Sequence, residues 1–164
     1  MIQRLQTLYL LIVFILCVVS LLSTIGGYNM GGESIAAFSN FSFNTFDNSF
    51  NNVHAYGPWA LGVVLIVVAL LSLYIILMFN KRILQMRLTT FNIILLCGYL
   101  IAYAFFAWIY QLKLEEVAPS GELKVSFQVR LTAIYPLISV ILCILAFKGI
   151  RKDEKLVRSL ERIR

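Results

Sequence analysis

Trp59-Ala60-Leu61-Gly62-Val63-Val64-Leu65-Ile66-Val67-Val68-Ala69-Leu70-Leu71-Ser72-Leu73-Tyr74-Ile75-Ile76-Leu77-Met78-Phe79 contains no charged residue and is followed at once by Asn80-Lys81-Arg82. A surface helix of a soluble protein keeps its apolar residues on one stripe and its polar residues on the other; this stretch has no polar face. A bilayer core about 30 Å thick takes roughly 20 apolar helical residues to cross. The stretch therefore reads as a membrane span, with Pro58 at its first turn, where a missing N–H costs nothing.

Three further runs meet the same requirement, from about Leu8 to Ile25, Phe91 to Tyr110 and Leu131 to Phe147. Arg4 precedes the first, and Gly26-Gly27 closes it. Its apolar stretch exceeds the 7–15 residues usual for a signal peptide, and no small-residue cleavage site follows, so it reads as a retained helix. Pro136 falls inside the fourth run and is expected to kink it or loosen a turn. The whole chain of 164 residues is 60% hydrophobic and 13% charged. A soluble domain would carry roughly a quarter charged residues. The expected fold is an all-α membrane protein, a single domain over residues 1–164 built as a four-helix transmembrane bundle.

Charge fixes the expected orientation. Arg4, Lys81, Arg82, Arg87, Lys148, Arg151, Lys152, Lys155, Arg158, Arg162 and Arg164 fall on one side of the spans, and Lys113, Lys124 and Arg130 on the other. The acids run the opposite way, with Asp153, Glu154 and Glu161 beside the eleven cations and Glu33, Asp47, Glu115, Glu116 and Glu122 beside the three. Cytoplasmic loops carry the excess of Lys and Arg, so the eleven-cation side and both chain ends are expected to be cytoplasmic. Tyr56 and Trp59, and Trp108 and Tyr110, mark the outer interfaces with amphipathic rings. Topology accounts for most of the net charge of +6, and no DNA partner is expected.

Two segments lie outside. In the first, residues 28–57, Phe38, Phe41, Phe43, Phe46 and Phe50 are interleaved with Asn and Ser, with a strand-like period of two at Phe41 and Phe43. The second, residues 111–130, reads as a hairpin. Leu112-Lys113-Leu114 is one arm, Pro119-Ser120-Gly121 the turn, and Leu123, Val125, Phe127 and Val129 alternate along the other arm. Because an isolated hairpin is marginal in water, the two loops are expected to form one small outer β-sheet on the helix ends. His54 stands without carboxylate or cysteine company and reads as structural. Asn40-Phe41-Ser42 matches the glycosylation pattern, which matters only in a compartment that glycosylates.

The span interiors hold no Asp, Glu, Lys, Arg or His. Ion pathways and most transporter sites carry ionisable groups there, and intramembrane hydrolases need a nucleophile–base pair or metal cluster. Cys17, Cys97 and Cys143 have no CxxC or CxxH spacing, so neither a metal nor a cofactor is expected. Ser20, Ser23, Ser72, Asn92, Cys97, Thr132 and Ser139 suit helix–helix hydrogen bonds. Gly98-x-x-x-Ala102 forms a small-residue pair that could admit another helix closely, or serve as ordinary packing within the bundle.

The tail, residues 149–164, places Leu156, Val157, Leu160 and Ile163 on one helical stripe. Glu154 and Arg158, and Arg158 and Glu161, are spaced for helix-surface pairs. Gly149 can bend this amphipathic helix away from the fourth span. Arg151, Lys152, Lys155, Arg158, Arg162 and Arg164 then present an anion-binding surface for membrane lipid, a cytoplasmic protein or a ribonucleoprotein. Asp153, Glu154 and Glu161 would weaken a purely lipid anchor. They therefore favour a partner that reads both signs.

Met1-Ile2-Gln3-Arg4-Leu5-Gln6-Thr7-Leu8-Tyr9-Leu10, Asn80-Lys81-Arg82-Ile83-Leu84-Gln85-Met86-Arg87-Leu88 and the tail from Arg151 to Arg164 together carry a recognisable pattern. The chain resembles, over its whole length, the domain-of-unknown-function family 4293, small four-helix inner-membrane proteins of Bacteroidota. The resemblance implies a bacterial inner membrane and a periplasmic outer face, and it implies no activity. The expected function is a non-enzymatic accessory or scaffolding subunit of a larger membrane assembly; the alternative is a small transporter, channel or lipid-handling protein.

Overall fold

In a computed structural model of the chain, the structure describes residues 2–46, 57–78, 81–117 and 125–161. The elements run α1 (Ile2–Leu22), β1 (Thr24–Met30), β2 (Glu33–Ser39), β3 (Phe43–Thr45), α2 (Trp59–Leu77), α3 (Arg82–Val117), β4 (Ser126–Val129), a 3₁₀ turn (Leu131–Ile134) and α4 (Tyr135–Glu161). Four of these helices are long and apolar enough to cross a membrane. They form a ring in which α1 and α3 each pack against both α2 and α4. The ring is apolar on its outside: Leu70, Ile94, Ile101 and Phe105 are all exposed. A monomeric soluble protein rarely exposes apolar surface this extensively.

The expected sheet is present as four antiparallel strands in the order β3-β2-β1-β4, three from the first interhelical segment and one from the second. β1 leaves α1 almost directly, so Gly26 and Gly27, expected as a helix stop, are strand residues. β1 and β2 join through Gly31 and Gly32, whose φ values of 61° and 92° are the left-handed pair that a tight twisted hairpin needs. Gly26 is bare for a packing reason. A Cβ there would lie 2.6 Å from the Phe127 ring, which crosses from β4 over the strand.

The expected outer hairpin is not formed. Leu112-Lys113-Leu114 belongs to α3, a single helix of 36 residues. At 1.5 Å per residue it is about 54 Å long, well beyond the ~30 Å of a bilayer core. Its far end is held by a stripe at helical spacing, Tyr99, Tyr103, Phe106, Tyr110 and Leu114, that packs into the sheet. Phe38 stacks on Tyr103, with ring centroids 5.8 Å apart, and Phe43 on Tyr110 at 4.5 Å. The Tyr28 hydroxyl donates to the Ala107 carbonyl at 2.8 Å. Burial, reinforced by Tyr103 and Tyr110, holds that phenol well above its usual pKa, so it remains a donor. Tyr28, Ile35 and Phe38 share one core with Leu61, Leu96 and Tyr99, so sheet and bundle are packed as one body.

Several groups left open at the helix ends find partners outside the helix, as an apolar surrounding requires. At the end of α1, Ser23 donates to the Val19 carbonyl and Asn40 to that of Ser20. At the start of α2, the Gly62 N–H reaches the Asn40 carbonyl at 3.1 Å. At the end of α2, Gln85 donates to the Ile75 carbonyl at 3.2 Å. Pro136 sits in the first turn of α4, and the span expected from Leu131 departs from a regular α-helix just before it, in the 3₁₀ turn Leu131–Ile134. α4 then runs unbroken through Gly149, which does not bend the tail away.

Candidate functional site

The end of the bundle opposite the sheet gathers most of the described cations, among them Lys81, Arg87, Lys148, Arg151 and Lys152. α4 alternates two faces there. Ser139, Cys143, Ala146, Ile150 and Asp153 are buried, while Lys148, Arg151 and Lys152 are exposed. The turn of Asp153 inward is enforced by a partner on α1: Gln6 donates to its carboxylate at 2.7 Å, both side chains being buried. Gly149 makes room for this contact. A Cβ at that position would come 3.0 Å from Gln6 Cγ and 3.3 Å from its Nε2. The glycine read as a hinge is thus a notch for the side chain that ties α4 to α1.

This latch changes the electrostatics read from the tail. Asp153 is spent on an internal hydrogen bond, and Glu154 is half-buried. The outward surface of the first tail turn is more cationic than the sequence suggests, and the argument from interspersed carboxylates loses one of its three acids. Of the six cations expected to form the site, Arg151 and Lys152 are exposed together, and Lys155 and Arg158 fall on the same helix. Arg162 and Arg164 lie outside the described residues, as do His54 and the turn at Pro119-Ser120-Gly121. Lys148, in the sequence only one of the cations that set orientation, is exposed, and its spacing to Arg151 and Lys152 puts it on their face.

Of the small-residue pair, Gly98 is exposed, with nothing within 4 Å of where a Cβ would stand, and Ala102 is half-buried against the core. The pair therefore makes no tight contact inside the chain. Of the mild polar residues, Asn92 on α3 joins helices as expected, donating to Ser72 on α2 at 2.9 Å, whereas Ser139 donates to the Tyr135 carbonyl of its own helix and Cys97 is exposed. A second buried polar group, Asn40 with Tyr99 and the Ser20 carbonyl, ties the sheet segment into the bundle. Buried and engaged in this way, Asn40 is no acceptor for a glycan. Cys17 and Cys143 are buried, Cys97 is exposed, and all three are free. Among the described residues no three His, Cys, Asp or Glu side chains converge as metal ligands would.

The family model described as domain of unknown function (DUF4293) matches residues 2–163. The chain belongs to this family. The match includes α1 with Gln6 and α4 with Asp153, so both halves of the latch lie within the DUF4293 region. No curated protein and no solved structure gives a significant match.

Proposed function

We propose that this DUF4293 protein is a non-enzymatic accessory or scaffolding subunit of a larger assembly in a bacterial inner membrane. In this reading the sheet is periplasmic, both chain ends are cytoplasmic, and the distal tail is the docking element. The observation that carries it is the unbroken α4, latched to α1 through Asp153 and Gln6 and continuing to Glu161. A tail that served only as an orientation signal would gain nothing from being held as a braced helix. A helix braced at Asp153 carries the backbone of Lys155 and Arg158 in one fixed register, and reading charge in one register is how complementarity confers specificity.

The alternative, a small transporter or channel, draws on Asn92, whose buried Oδ1 has no hydrogen-bond partner although its Nδ2 is engaged. One preparation separates the two readings. A tagged chain purified from its native membrane in gentle detergent is expected to bring stoichiometric partners. In the Arg158→Glu, Arg162→Glu variant those partners should be lost while membrane insertion is kept. A lone chain with solute flux in liposomes would favour the alternative instead.

A further inference from the structure

We propose that Lys148, Arg151 and Lys152 form a site for the phosphate headgroup of an anionic membrane phospholipid, on the lipid-facing side of α4. The inference rests on reading the four helices as membrane spans. It assigns the juxtamembrane turn to lipid and leaves the more distal tail to the partner.

The outward face of α4 is one continuous stripe. Leu137, Ile138, Ile141, Ile144 and Leu145 are exposed, and the same three–four spacing continues into Lys148, Arg151 and Lys152. Because the helix does not break or turn between Tyr135 and Glu161, these cations share the azimuth of the apolar residues above them. Whatever solvates Ile141 and Leu145 therefore also passes beside Lys148. Their depth fits as well. The 3₁₀ turn from Leu131 and the helix from Tyr135 to Lys148 together span about 29 Å, against about 30 Å for a hydrocarbon core. With Leu131 at one boundary, Lys148 reaches the other, and Arg151 and Lys152 stand one turn further, at headgroup level.

The chemistry matches a phosphodiester. Arg151 supplies a planar fork suited to two phosphate oxygens, and the lysines supply point charges on stems that can lie along acyl chains. Of the two carboxylates next to this turn, Asp153 faces the bundle and accepts from Gln6, and Glu154 is half-buried. A cation stripe meant for a soluble partner would not need to continue the lipid-facing face of the span.

The test uses the intact purified chain. Native mass spectrometry in mixed micelles with equimolar phosphatidylglycerol and phosphatidylcholine of matched acyl chains should show phosphatidylglycerol retained about tenfold more. The Lys148→Gln, Arg151→Gln, Lys152→Gln variant should lose that preference, and Lys81→Gln with Arg87→Gln should keep it. Equal retention of the two lipids by the wild type, or an unchanged preference in the triple variant, overturns the proposal. If the triple variant does not insert, amine labelling of the wild type decides. Lys148 and Lys152 should be protected in phosphatidylglycerol vesicles relative to phosphatidylcholine vesicles, and Lys81 should not. Equal labelling in both, or protection traced to a co-purified protein, also overturns it. Lipid retention reports on this site and partner recovery on the docking tail, so either can fail alone.

Discussion

Asn40 serves two helix ends at once. Its Nδ2 fills a carbonyl orphaned by the end of α1, its Oδ1 accepts from the Tyr99 hydroxyl at 2.8 Å, and its main-chain carbonyl accepts an amide orphaned by the start of α2. Only an amide side chain offers a donor and an acceptor at this reach. Phe41 follows it and lies over Gly62, which has no side chain to displace the ring. Replacing Asn40 by alanine leaves the Ser20 carbonyl and the Tyr99 hydroxyl buried without partners. Each such group costs about 1–3 kcal/mol. The Asn40→Ala variant is therefore expected to lose about 2–6 kcal/mol in detergent unfolding, the sum for the two groups. A loss under 1 kcal/mol for Asn40→Ala would mean that the two ends find other partners. The Gln6–Asp153 contact is the counterpart at the opposite end of the bundle, and there too one side chain closes a gap between distant segments.

At the scale of elements, α3 is where sequence and structure part. Leu112-Lys113-Leu114 alternates like a strand, but three residues cannot distinguish a period of two from the edge of a helical stripe. The discriminating signal lay upstream. Tyr99, Tyr103, Phe106, Tyr110 and Leu114 recur at three- and four-residue steps and carry the helix straight through the supposed boundary at Tyr110. The four apolar helices were legible because length and the lack of charge suffice for them. The sheet was legible as a sheet, from Phe and Asn alternation, but its strand order was not, since β1 pairs with β4 across 97 or more residues. The basic tail could be read from composition, whereas the inward turn of Asp153 could not, because its partner lies 147 residues away. Leu112 is exposed, so a Leu112→Pro change tests the helix with little effect on packing. Proline there removes a helical hydrogen bond and clashes with the preceding turn, a cost of about 3 kcal/mol, whereas in an edge strand it would be tolerated. Thermal unfolding with far-ultraviolet circular dichroism should show that loss together with lower helicity. An unchanged transition would return residues 112–114 to a strand.

For the whole molecule, the decisive geometric fact is that Gln6 and Asp153 touch, so the first and last helical segments meet at one end while the sheet occupies the other. Lys81, Arg87, Lys148, Arg151 and Lys152 are exposed at the Gln6–Asp153 end, and the described acids Glu33, Glu115 and Glu116 belong to the opposite end. The asymmetry is sharper than the formal count, since the Asp153 carboxylate is buried against Gln6. If the helices cross a bacterial inner membrane, the excess of Lys and Arg places this end in the cytoplasm. Reporter fusions test it directly, and the fold dictates where they go. A fusion after Arg164 leaves the bundle intact. An insertion belongs between Asn80 and Lys81, because α3 begins at Arg82 and anything beyond would break it. On the other side Ser120 is suitable, whereas Asn44 is not, since it pairs with Ala37 in β3 and an insertion would unmake the sheet. Fluorescent-protein fusions at Arg164 and Asn80 should be bright and alkaline-phosphatase fusions there inactive, with the reverse at Ser120. Phosphatase activity at Arg164 together with silence at Ser120 would invert the molecule. Activity at both would mean that one of the four apolar helices does not cross.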